Sequence, residues 1–466
     1  MPTAPMVTQP KFWQTGQWIL DPVGYMQTQF KRYGDIFQAS VAWSGNSPFV
    51  FVNEPKAVQY LLTHDTGKEF TAPGDLNAIL EPLIGRQNLI LLSGQQHRQR
   101  RQLVMPPFHG ERLKAYGQII QQITEDAIAQ WPVDEQRNIR STMQKITMRV
   151  ILQAVFGLHQ GERYEQLERL LSLRMEMTDT PLASMIIFMP WLQKDFGAWS
   201  PGAQIQRLAE ETDALLFAEI RARRANPDPS RIDILSLLLA AKDEAGNGLS
   251  DQDLRDELMT LLVAGHETTA TALTWAMYWV HALPEVKQTL LAELDALSDP
   301  ADLSQVLQLP YLNAVCNETL RINPVAMLTF PREVQVPLEL CGYQLEPGML
   351  VMGCIYLIHQ REELYPEPRQ FRPERFLERQ FSPYEFLPFG GGVRRCVGYA
   401  LAQYELKIAL ATMLTQADMT LMNQRPVLPA RRGVTLGTNQ PVQIKKVGVR
   451  KRAKALVGVI NGYFML

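Results

Sequence analysis

Apolar residues return about every 3.6 positions across 141–156, 164–178, 203–224 and 233–242, the spacing that lines one face of an α-helix. A helix also starts at Ser250 and Asp251, where acidic residues suit its first turns, and runs to a stop near Pro284. Its stretch from 257 to 283 is apolar enough to be buried, yet it carries His266 and Glu267, which argues for a core helix and against a membrane span. A further long amphipathic helix is predicted over Tyr399–Gln416. Short apolar runs such as Phe49-Val50-Phe51-Val52, set among turn residues, predict a small sheet in 35–55. Strand-like pieces return over 330–355, punctuated by Gly342, Pro347 and Gly348. The pattern predicts a mainly α fold with small β-sheets.

The chain has 466 residues and no long Gly/Ser- or Pro-rich linker, so a single large domain is expected despite its length. Residues 1–19 form an N-terminal segment, 20–445 the main domain, and 446–466 a basic, then apolar, tail. That tail reads as an extension without a chemical role; peripheral membrane contact is the alternative. A formal net charge of −2 gives no reason to expect a nucleic-acid partner. Cys316, Cys341, Cys354 and Cys396 lack metal-type spacing, and neither a signal peptide nor an anchor opens the chain. A soluble cytoplasmic protein with reduced thiols, most simply a monomer, is expected.

Chemistry enters with Phe389-Gly390-Gly391-Gly392-Val393-Arg394-Arg395-Cys396-Val397-Gly398. This is the pattern F-x-x-G-x-R-x-C-x-G, a glycine-rich loop that presents one cysteine. Upstream lie Ala264-Gly265-His266-Glu267-Thr268-Thr269, then Glu318-Thr319-Leu320-Arg321, then Phe371-Arg372-Pro373-Glu374-Arg375-Phe376. Glycine, an acid and two threonines inside an apolar helix lower its helical propensity, so they need a reason. A kinked helix with a solvated Glu267 is the bland alternative. Glu318 and Arg321, three apart on one helix face, would alone be a common surface pair.

These four motifs, in this order, resemble those of the cytochromes P-450, the heme-thiolate monooxygenases, most nearly soluble bacterial and cyanobacterial fatty-acid hydroxylases. The resemblance runs from about residue 20 to 445. It implies heme b (iron protoporphyrin IX) with Cys396 as the thiolate ligand to iron, in a loop shaped by Phe389, Gly392 and Gly398. A thiolate ligand pushes electron density toward iron. Arg394 would give charge-assisted hydrogen bonds to a heme propionate. His97 and Arg101, one helical turn apart, and Arg332 would be further propionate partners. Gly265 would let the long helix approach the heme, with a local widening there for oxygen. Glu267 and Thr268 would form the acid–alcohol pair that relays protons to dioxygen, while His266 is expected to serve packing or to lie at the surface. Glu318, Arg321 and Arg375 would form a structural network supporting the cysteine loop.

The same resemblance implies a pocket lined by 77–80, 185–192, 262–264 and 325–330, all apolar or methionine-rich and suited to a long hydrocarbon. Arg86 is the candidate cation for a substrate carboxylate. No flavin or nicotinamide motif follows Gly398, so electrons are expected from a separate protein, a ferredoxin with its reductase. Arg98, Arg100, Arg394 and Arg395 are candidates for its docking face. Rival readings are a heme-thiolate isomerase or dehydratase, a peroxide-driven hydroxylase, and a heme-binding sensor without turnover. Structural zinc is the weakest, because Cys396 has no neighbouring ligand in sequence.

Overall fold

The helix Asp251–Ala282 sets the architecture: at 32 residues it runs about 48 Å through the molecule. Its start is fixed by a capping box, Ser250 Oγ accepting from Asp253 N at 3.1 Å while Asp253 Oδ2 accepts from Ser250 N at 3.1 Å. Pro284 begins the next helix and ends this one. In the computed structural model, which describes residues 2–41, 48–177, 180, 183–243, 246–299 and 302–450, this helix is buried on every side at 254–262 and again at 269–278. Between those two stretches burial breaks at 263–265 and 267–268. All-round burial explains the long apolar stretch, since a helix enclosed by others needs no polar face.

Helices Ile139–Phe156, Pro201–Ala225, Pro310–Ile322 and Tyr399–Gln416 surround it. The last was expected to be amphipathic and is not. It is buried along most of its length, and even Glu405 is 4% exposed, its carboxyl pushed up to about 8 by burial.

The two strand-rich regions, 280 residues apart, join one five-stranded sheet. Its order is Ile36–Ala39, Phe49–Val52, Leu350–Gly353, Arg332–Val334 and Phe70–Thr71. Phe49–Val52 pairs antiparallel with Ile36–Ala39 and parallel with Leu350–Gly353. Every residue of Phe49–Val52 is buried, which is why that strand is continuously apolar instead of alternating. Among the described residues three smaller sheets complete a mainly α fold.

Both ends of the described residues, 2–20 and 443–449, join the body. Val7 and Trp18 are buried, and Thr3 and Met6 bridge to Gln344 and Gln38. The tail expected from 446 begins inside the strand Gln443–Val449, where the buried Lys446 Nζ donates to the carbonyls of Ile128 and Trp131 at 2.9 and 2.6 Å. Residues 451–466, the rest of that tail, lie outside the described residues. No helix among the described residues is long and apolar enough to cross a membrane.

Candidate active site

The cysteine loop is closed by its own backbone. Cys396 N donates to Phe389 O at 3.1 Å, and Arg395 N to Gly392 O at 3.1 Å. Phe389 packs against the main core with its ring edge toward Tyr399. Gly392 adopts φ +64°, and a Cβ there would lie 2.1 Å from Asp65 Oδ2 and 2.7 Å from Leu62 O, so only glycine lets the loop press this closely on the segment after helix Pro55–Thr63. Gly398 has an ordinary φ of −87° and caps the helix Tyr399–Gln416. Its N–H is directed at the Cys396 sulfur. The Cys396 side chain is accessible, but to internal space: surrounding atoms bury it enough to raise its thiol pKa, while the Gly398 N–H, Arg101 and Arg395 oppose that rise.

Asp65, which no sequence motif marked, is the loop's anchor. It accepts from Val393 N at 3.1 Å and from Arg332 Nε at 2.8 Å. Arg332 is fully buried and also donates to Phe330 O at 2.7 Å and Gly391 O at 3.0 Å. Arg394 donates to the carbonyls of Ala72, Leu89, Ile90 and Leu92, at 2.6 to 3.2 Å. All five of its N–H groups are thereby engaged. The hydrogen bonds expected from Arg394 to a propionate go to these carbonyls instead, so in this arrangement it offers a propionate positive charge and no spare donor.

His97 and Arg101 differ. They sit on helix Gly94–Val104 four residues apart, and neither side chain has a hydrogen-bond partner among the described residues. His97 is pulled down to about 3, first by burial and then by Arg394, Arg101 and Arg332; Arg394 is likewise lowered to about 10 by burial, Arg332 and Arg101. Four cationic or donor groups thus repel one another around one place, and two of them lack a partner. That is the donor set a group with carboxylates would satisfy, so the residues present fit a heme whose propionates face His97 and Arg101 and whose iron is offered Cys396.

Helix Asp251–Ala282 supplies the other wall. Ala264 is exposed in mid-helix, and Thr268 Oγ1 donates to Ala264 O at 2.5 Å. The helix is unbroken α-helix from end to end, so the expected widening is absent; the Thr268 hydroxyl takes up the Ala264 carbonyl instead. Gly265 also serves another purpose than expected. A Cβ there would lie 2.8 Å from Ile151 Cδ1, so its lack of a side chain lets this helix approach Ile139–Phe156, while Ala264 faces the cavity. His266 is a packing residue, buried and hydrogen-bonded through Nδ1 to Thr147 Oγ1 at 2.8 Å. Glu267 is held by Arg140, whose Nη2 donates to Oε1 at 2.5 Å, with Gln144 Nε2 at 3.4 Å from Oε2.

The structure brings Glu318, Arg321 and Arg375 together. Glu318 accepts from Arg321 Nε at 2.7 Å and Nη2 at 2.8 Å, Arg375 Nε at 3.1 Å and Arg372 N at 2.9 Å, with Glu318, Arg321 and Arg375 buried. Arg321 continues to His359 O at 2.7 Å, and His359 Nε2 accepts from Leu387 N at 3.1 Å, just before the cysteine loop. His359 completes a connection that no motif indicated.

Glu267 and Thr268 line a cavity of about 320 Å³. The expected segments contribute Asn77, Ile79 and Leu80, Ile187 and Phe188, Val263 and Ala264, and all of 325–330. Met185 and Leu192 pack in a neighbouring cluster and Trp191 is 58% exposed. Trp18 and the hairpin residues Arg431 to Thr435 also line the cavity and were not foreseen. Arg86 does not: it is exposed and paired with Glu81. Of the four arginines considered for docking, Arg98 and Arg395 are exposed. Arg100 and Arg394 are buried, Arg100 against Asp253 at 2.6 Å and Glu257 at 3.3 Å. Among the described residues no group of three or more His, Cys, Asp or Glu side chains could hold a metal ion.

Known proteins resemble this chain along most of its length. Residues 9–445 match the family model for cytochrome P-450. A protein of Mycobacterium tuberculosis named as cytochrome P-450 135B1 is 36% identical over 404 residues, covering 85% of this chain and 82% of its own. The solved structure of a cyanobacterial CYP120A1 with retinoic acid bound superposes with a TM-score of 0.83 at 25% identity, covering 96% of this chain and 99% of that one. The heme domain of cytochrome P-450DA gives a TM-score of 0.81 at 20% identity, over 97% and 98% of the two chains.

Proposed function

The chain belongs to the cytochrome P-450 family, a heme-thiolate monooxygenase with heme b as cofactor, and from that premise we propose that it hydroxylates a C–H bond of a long apolar substrate, a fatty acid or similar lipid. The observation that carries this reading is the cavity: its walls are mostly apolar, and Glu267 and Thr268 stand in them. The solved relative that binds retinoic acid, an apolar carboxylic acid, supports the same substrate class.

In this proposal Cys396 would hold the heme iron, and His97 and Arg101 would receive the propionates. Heme bound there supplies the reductive activation of dioxygen and the oxidation of the substrate C–H bond. Glu267 holds a proton-exchanging carboxylate at the cavity wall, and Arg140 sets its direction. Thr268, with its hydrogen donated to Ala264 O, keeps oxygen lone pairs able to accept from a water or from a protonated donor. The apolar walls exclude bulk water and orient the chain. Electrons come from a separate carrier, for which we favour a ferredoxin docking on the face that carries Arg98 and Arg395. The protein acts as a cytoplasmic monomer.

The test is product analysis with a surrogate ferredoxin and reductase over a panel of fatty acids and terpenoids. Hydroxylated lipid dependent on both electron donor and dioxygen is expected. Product formed faster with hydrogen peroxide alone would favour a peroxide-driven enzyme, and binding without any product would favour a sensor.

A further inference from the structure

Arg431 is a buried cation with no anion beside it among the described residues. It lies on the hairpin formed by Pro429–Arg432 and Thr435–Thr438, is 2% exposed, and lines the cavity. Nε donates to Ile19 O at 3.1 Å and Nη2 to Trp18 O at 2.9 Å, carbonyls in the last turn of helix Lys11–Leu20. The guanidinium carbon sits 5.1 Å from the Trp18 ring centroid and 4.8 Å from that of Phe188. Carbonyls at a helix C-terminus and aromatic faces ease a cation, but they do not neutralise it.

Its circumstances differ from those of the buried arginines that share a carboxylate, and from Arg394 and Arg174, on which nearby carboxylates act through charge. Arg321 and Arg375 share Glu318, Arg332 has Asp65, and Arg140 has Glu267. For Arg431 burial alone acts on the pKa, pulling it down to about 9, and no carboxylate opposes the shift. Nη1, with two N–H groups, donates to no protein atom among the described residues. Capping the N-terminal helix therefore explains two of the five N–H groups and none on Nη1. A desolvated charge left this way is costly unless an anion completes it. The acid among the described cavity-lining residues, Glu267, already has its cation in Arg140 and would repel a second carboxylate.

We propose that Arg431 is a specificity-determining residue that binds the carboxylate of an elongated monocarboxylic acid, leaving its hydrocarbon chain to run along the apolar wall toward Ala264 and Thr268. The inference rests on the reading of this cavity as the substrate site and adds the head group that the site selects. The carboxylate accepts charge-assisted hydrogen bonds from Nη1, between the Trp18 and Phe188 rings.

The test uses the full-length, heme-loaded protein and calorimetric titration at neutral pH with dodecanoic acid, dodecan-1-ol and methyl dodecanoate. Wild-type protein should bind the acid about tenfold or more tightly than the alcohol and the ester, the margin expected of a hydrogen bond to a charged group. Arg431→Met should erase that preference while the alcohol changes less than about threefold, and Arg431→Lys should keep part of it. If Arg431→Met does not fold, the wild-type ranking and Arg431→Lys decide. Equal binding of acid and alcohol by wild type, or a preference that survives Arg431→Met, overturns the role of Arg431 while leaving a lipid-oxidising cavity in place. Failure of wild type to bind any of the three removes the broader substrate reading and this proposal with it.

Discussion

Arg140 Nη2 lies 2.5 Å from Glu267 Oε1, and the two residues sit on different helices, Ile139–Phe156 and Asp251–Ala282. Arg140 is almost fully buried, and Glu267 opens toward the cavity. The acid at the cavity wall is therefore positioned by a partner 127 residues away in sequence.

Replacing that partner should expose the dependence. Arg140→Met leaves a half-buried carboxylate without its cation, at a cost of about 2–3 kcal/mol, somewhat below that of breaking a fully buried pair. Chemical denaturation measures this, and turnover per electron consumed should fall in the same variant. Unchanged stability together with unchanged coupling would show that Glu267 does not need Arg140.

Glu318 is the shared acceptor of Arg321 and Arg375. Glu318→Gln should destabilise the protein by about 3–5 kcal/mol, because two desolvated guanidiniums lose their anion. The same variant should lose heme more readily, since the network passes through His359 to Leu387 at the edge of the cysteine loop. A loss below about 1 kcal/mol, typical of an exposed pair, would contradict a supporting role.

Two neighbouring glycines separate backbone strain from crowding. Gly390 and Gly392 both have φ +64°, but a Cβ meets nothing within 4 Å at Gly390 and the Asp65 carboxylate at Gly392. Gly390→Ala should cost about 1–2 kcal/mol, the left-handed penalty alone. Gly392→Ala should cost clearly more, because it also displaces the anchor of Arg332 and Val393. Equal unfolding midpoints for the two would contradict this packing.

Stability should fall as the medium becomes acidic. Burial pulls His266, His281 and His359 down to about 3, well below the ordinary histidine value. The unfolded chain therefore binds more protons than the folded one between about pH 6.5 and 3, so each histidine's contribution is present at neutral pH and lost on acidification, by up to about 1.4 kcal/mol per pH unit. Glu257 and Glu405, raised by burial to about 7 and about 8, work in the opposite direction, losing stability as pH rises from about 4.5. These three histidines, with His97 also pulled down to about 3, outweigh two carboxyls below pH 6.5, which places the thermal midpoint's maximum close to neutrality. His281→Leu should flatten the acid limb, and an acid limb of unchanged slope would show that this histidine titrates normally.

The residues that were legible in the sequence are those whose role depends on near neighbours. Cys396 with Phe389 and Gly392, and Glu318 with Arg321, each lie within one short segment, and the start signal at Ser250-Asp251, the stop near Pro284 and the apolar stretch between them marked Asp251–Ala282. Asp65, Arg140 and His359 were not legible, because each acts on a residue far along the chain and none belongs to a local pattern. Gly265 was assigned the wrong neighbour for the same reason: sequence places it on the helix but does not reveal which face meets Ile151. Arg86 and Arg431 make the point most sharply. Neither belongs to a motif, and only the fold puts one at the surface beside Glu81 and the other in the cavity wall.

The central claim is that Cys396 is the thiolate ligand of a heme. The reduced-plus-carbon-monoxide difference spectrum of the heme-loaded protein tests it most directly, recorded beside Cys396→Ser. A strongly red-shifted Soret band in the wild type, lost in the variant, is the predicted result; a folded, heme-loaded wild type without that band, or a variant that keeps it, would contradict the account.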